Sequence, residues 1–147
     1  ILITDKTDKI NKIIMKKINS IFIKGFYFTN LILIVFYLYP GSIFGCYLYN
    51  DCSITPQVTR DFIISPKYLI SSNHLYVFSI ISVLGIFTYQ NTKKIKFLII
   101  YLFLLSIILE LFHVIIPTRE FEWADLFGNI AGVLFIIIIY KVMNKYV

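Results

Sequence analysis

Four stretches of this chain are too long, too apolar and too free of charge for a small water-soluble domain. Residues 25–49 carry no charged side chain, residues 71–90 only the imidazole of His74, residues 97–116 only Glu110 and His113, and residues 126–140 none. A helix needs about 20 mostly apolar residues to cross a hydrocarbon core of roughly 30 Å. The whole chain is 147 residues, 59% hydrophobic and 15% charged, with a mean hydropathy of +0.81. Soluble domains are about 45–50% apolar and roughly 25% charged, and a small one cannot hide so much apolar surface from water. A soluble globular enzyme is thereby excluded. The expected fold is an all-α membrane protein, a bundle of four transmembrane helices near residues 25–45, 71–90, 97–116 and 123–140.

Residues 1–24 have a different character. Lys6, Lys9, Lys12, Lys16, Lys17 and Lys24 outnumber Asp5 and Asp8, while Ile10, Ile13, Ile14, Ile18, Ile21 and Phe22 recur at helical spacing. That pattern predicts a basic amphipathic N-terminal helix, lying on an anionic leaflet or simply anchoring the next span. No small-residue cleavage site follows it, so a secretory leader is not expected. Pro40-Gly41 marks the exit of the first span.

Charge sets the expected orientation. The six amino-terminal lysines, Lys93, Lys94 and Lys96 of the second connection, and Lys141 and Lys145 at the end make eleven of the fourteen basic residues. Arg60, Lys67 and Arg119 fall on the opposite side. By the positive-inside rule both termini are cytoplasmic, with loops 50–67 and 117–122 outside. Trp123 and Tyr37, Tyr39, Tyr47 and Tyr49 sit at the proposed outer interface, where amphipathic rings are favoured. The net charge of +6 is thus a topology signal and calls for no nucleic acid. Cys46 and Cys52 lie in or beside the outer loop, where they either form a disulfide or remain ordinary thiols.

An ionisable group inside a span costs roughly 2.5–3.5 kcal/mol on insertion scales, so those that persist ask for an explanation. His74 opens the second span, Glu110 and His113 close the third, and Asp125 and Asn129 open the fourth, with Arg119 in the turn between the last two. All fall at one depth, toward the outer leaflet. Glu110 and His113 are i, i+3 and share a helix face; Asp125, Asn129 and Gly132 share another. Gly128 and Gly132 form a GxxxG pair that lets a neighbouring helix approach closely. A tight hairpin would bring Glu110 and Asp125 near Arg119, either as simple charge neutralisation and packing or as a ligand pocket.

The run Glu110-Leu-Phe-His113-Val-Ile-Ile-Pro117-Thr-Arg119, followed by Asp125-Leu-Phe-Gly128-Asn129-Ile-Ala-Gly132, resembles the signature of the VanZ-like family. These are small four-helix membrane proteins named for a teicoplanin-resistance protein. Glu110, Pro117, Arg119, Asp125, Asn129 and Gly132 match the pattern, and His74 looks like the family's histidine. The resemblance covers residues 25–140, with its specific part at 110–132. His113 replaces the family's usual Gln, and Ser71-Ser72-Asn73 replaces a common acidic–basic pair.

The resemblance implies an antibiotic-resistance-like protein of the cell envelope, integral to the bacterial cytoplasmic membrane. Its outer-leaflet pocket of His74, Glu110, His113, Arg119, Asp125 and Asn129 would bind a lipid-linked glycan or a lipophilic glycopeptide. Arg119 would contact phosphate or carboxylate. Two other readings stay open. In an intramembrane hydrolase or transferase acting on lipid headgroups, Glu110, Asp125 and His74 are the catalytic candidates. In an accessory subunit of a larger membrane complex, the cluster serves assembly. Glu110-x-x-His113 has the ligand spacing of di-metal bundles, but the second copy they require is missing. His74 and Asp125 could complete a single site; the expectation is nevertheless no metal and no cofactor.

Overall fold

In a computed structural model, residues 2–54 and 69–146 are described. They form five helices: α1 (Leu2–Leu38), α2 (Ile43–Tyr49), α3 (Ser72–Tyr89), α4 (Ile95–Phe112) and α5 (Trp123–Tyr146). Four are long and apolar enough to cross a membrane, over Ile13–Leu38, Ser72–Tyr89, Ile95–Phe112 and Trp123–Lys145. The chain is a four-helix membrane bundle with a basic amphipathic first segment. Most of the 50–67 connection, including Arg60 and Lys67, lies outside the described residues.

The amphipathic segment is not a separate helix. It runs without a break into the first span as α1, 37 residues long. Nothing in the sequence forces a stop: no proline precedes Pro40, and Gly25 alone costs a helix only about 1 kcal/mol. Ile10, Ile13, Ile14, Met15 and Ile18 remain exposed along this first part. The far end arrives early, at Leu38 rather than near residue 45. Gly41 then takes φ +95, a left-handed backbone that suits glycine, and a Cβ there would stand 2.9 Å from the Cys52 carbonyl oxygen. Ser42 caps α2 by accepting from the Gly45 amide, and its own amide donates to the Cys52 carbonyl at 2.7 Å. Cys46 and Cys52 are disulfide-bonded, closing this small unit.

Core packing centres on α3, which contacts α1, α4 and most extensively α5. Phe78, Ile81, Leu102 and Val133 are fully buried, with Phe26, Leu33 and Leu109 around them. Gly128 and Gly132 lie directly against α3. A Cβ on Gly128 would come within 2.6 Å of the Ser71 carbonyl oxygen, and one on Gly132 within 2.5 Å of that of Leu75. The outward faces stay apolar, as at Leu31, Val35, Phe97, Ile100, Phe135 and Ile138. That is the surface a lipid solvent requires.

Candidate functional site

The end of α1, the starts of α3 and α5, and the end of α4 meet at the same end of the bundle. His74 Nε2 lies 3.3 Å from Asp125 Oδ2. Single ligand atoms of His74, Glu110 and Asp125 all fall within 4.8 Å of one another. His113 Nδ1 approaches Glu110 Oε1 at 3.4 Å. Glu110 and Asn129 are wholly buried and His113 nearly so. Five of the six expected site residues thus form one cluster.

Tyr37, expected only as an amphipathic ring at the interface, ties that cluster to α1. Its hydroxyl donates to Asn129 Oδ1 at 2.7 Å and lies 2.7 Å from His74 Nδ1. The ring stacks on His113, with centroids 5.4 Å apart. The one sequence signal is spacing: Phe26, Asn30, Leu33 and Tyr37 recur at helical intervals, and the structure buries all four, with Tyr37 ending the inward stripe. Asn129 Nδ2 in turn donates to the Ser106 carbonyl at 3.2 Å, fixing which way its amide points. Asn129 therefore links α1, α3, α4 and α5 through one side chain.

Arg119 corrects the hairpin expectation. Among the described residues it forms no ion pair with Glu110 or Asp125. Its Nη2 donates to the Phe36 carbonyl at 3.1 Å and its Nε to that of Tyr39 at 3.3 Å. Phe36 lies in the last turn of α1 and Tyr39 directly follows its final residue, where helix-end oxygens lack partners and carry partial negative charge. The guanidinium caps α1. α4 also ends sooner than expected, at Phe112, so His113 lies in the turn that follows.

Glu110 Oε1 accepts from the Glu122 amide at 3.1 Å, whereas Glu110 Oε2 and His113 Nε2 are buried without a hydrogen-bond partner. Glu122, just before the fourth span, has its carboxyl pushed above the usual range by burial. Repulsion from Asp125, Glu110 and Glu120 adds to this, and His113 opposes it.

A cavity of about 470 Å³ adjoins the cluster. Phe36, Phe44, Tyr76, Val77 and Ile80 line its apolar part, and His74, His113 and Arg119 its polar part. Phe36 and Phe44 stack at 5.2 Å, so α2 walls one side. A second cavity of about 520 Å³ lies near the opposite end, among Phe26, Tyr27, Tyr89, Phe97 and Tyr101, with Lys94 as its charged member. It is remote from the carboxylates and imidazoles. Comparison with protein-family models, curated proteins and solved structures finds no match.

Proposed function

We propose that the protein is a VanZ-like membrane protein of the cell envelope that binds the head of a lipid-linked glycan or of a lipophilic glycopeptide. The observation that carries this reading is the cavity at the polar end, where aromatic and aliphatic walls adjoin His74, His113 and Arg119. An amphiphile with an anionic head needs that juxtaposition. The volume suits a small ligand or part of a large one, since ligand pockets span roughly 300–1,000 Å³. It therefore takes a sugar phosphate or the first segment of a chain, and the rest lies along the lipid-facing surface.

Orientation follows the same reading. The Cys46–Cys52 bond is at home on an oxidising face, which supports an external polar end and cytoplasmic termini. The membrane is then the bacterial cytoplasmic membrane.

The test is binding in nanodiscs, with a short-chain polyprenyl-diphosphate disaccharide and a lipoglycopeptide as probes. Saturable binding that weakens about tenfold or more in Arg119→Lys, with melting unchanged, supports the reading; a lost charge-assisted contact is worth about 1.5–3 kcal/mol. Equal partition of both probes into wild-type and empty nanodiscs overturns it. The His74–Asp125 pair favours one alternative, headgroup cleavage, which released sugar phosphate in the same samples would reveal.

A further inference from the structure

At the polar end, the buried Glu110 and the partly buried Asp125 face imidazoles, and among the described residues neither has a Lys or Arg partner. Glu110 is fully buried, its Oε1 is satisfied by the Glu122 amide, and its Oε2 has no partner. Arg119 is committed to the carbonyls of α1. An uncompensated buried carboxylate is expensive, so a cation or protons must complete the site.

Counting hydrogens narrows the choice. Asn129 Nδ2 donates to Ser106, so Oδ1 is the atom facing Tyr37 and His74, and it can only accept. The Tyr37 hydroxyl spends its one hydrogen on Oδ1. His74 Nδ1, 2.7 Å from the Tyr37 oxygen and 3.1 Å from Asn129 Oδ1, faces two acceptors and is the protonated nitrogen. A neutral imidazole then turns the lone pair of Nε2 toward Asp125 Oδ2 at 3.3 Å. Two lone pairs face each other, and a cation between them removes the conflict. A metal-binding histidine fixed through its other nitrogen by a carbonyl is the usual second-shell arrangement.

We propose that His74 Nε2, one oxygen of Asp125 and one oxygen of Glu110 hold a single divalent cation of the zinc type. A tetrahedral zinc with bonds near 2.0–2.1 Å places its ligands about 3.3 Å apart, the separation His74 and Asp125 already have. The limit of 4.8 Å for the three ligand atoms asks for a contraction of at most about 1.5 Å to reach that tetrahedral spacing. One imidazole with two carboxylates suits zinc or manganese better than calcium or magnesium, which prefer all-oxygen shells. Two carboxylates balance a divalent charge. Three protein ligands leave a position open, as in zinc sites that bind water or substrate. The assignment does not rest on the ligand proposed above.

The experiment uses tag-free full-length protein in detergent, stripped with chelator and titrated with zinc chloride. Wild type should take up one equivalent. Glu110→Gln and His74→Ala should bind more than tenfold more weakly, since even second-shell changes cost 10–100-fold. Asp51→Asn, at an exposed carboxylate, should bind as wild type. Wild-type protein alone also decides the matter, whatever the variants do to folding. X-ray absorption at the zinc edge should show one imidazole and otherwise oxygen neighbours. No stoichiometric uptake, a sulfur or multi-imidazole shell, or unchanged affinity in folded Glu110→Gln overturns the proposal; the cluster then holds protons only.

Discussion

Asn129 uses every polar atom it has, and for that reason no other residue type fits its position. Its oxygen faces Tyr37 and His74 and its nitrogen donates to α4. Asn129→Ala removes the acceptor shared by Tyr37 and His74 and the donor to Ser106, and should cost about 2–3 kcal/mol, while Tyr37→Phe removes one hydroxyl for about 1 kcal/mol. Unfolding of both in the same detergent gives the ratio. Glu122 supplies a test with a pH sign. Its folded carboxyl is held above the unfolded value, so the stability it contributes is fully present below about pH 4 and is lost as pH rises through the folded value. Glu122→Gln should therefore be the more stable protein at pH 7, by at most about 0.5 kcal/mol at this exposed position. The two should converge below about pH 4; melting curves at both pH values check this.

The helices were legible wherever hydropathy decides them. The four spans follow from charge-free runs, and one depth for His74, Glu110 and Asp125 follows from where each falls in its span. Partner choice was less legible. Arg119 reads as the mate of a carboxylate because opposite charges attract, but the fold creates unpaired carbonyls at Phe36 and Tyr39 that no sequence pattern announces. Tyr37 was hidden because a tyrosine near a span's end equally suits an interface. The sequence left two readings of the first segment open, because a helix lying on a membrane and one extending a span share the same 3.6-residue period; the structure runs it straight into the span. At this scale two glycines make opposed predictions. Gly132→Ala should push α5 from α3 and cost about 1–3 kcal/mol, whereas a Cβ on Gly25 meets nothing within 4 Å. Gly25→Ala should stabilise α1 by up to about 1 kcal/mol. Thermal unfolding of the pair decides whether close approach or helix propensity governs each site.

For the molecule as a whole, the disulfide governs a local unit rather than the bundle. Reducing Cys46–Cys52 should raise hydrogen exchange at the α2 amides and leave α3 unchanged, because the closed loop holds the second half of α2, from Cys46, and no part of α3. The length of α1 bears on both ends at once. At 1.5 Å per residue its 37 residues extend about 55 Å, well past a hydrocarbon core of roughly 30 Å. The lysine-bearing part is the shank of the same rod whose other tip carries Tyr37. No joint separates them. The lysines and the Tyr37 hydroxyl that meets Asn129 are therefore carried by one continuous helix, so the polar cluster and the basic segment share a single rigid support.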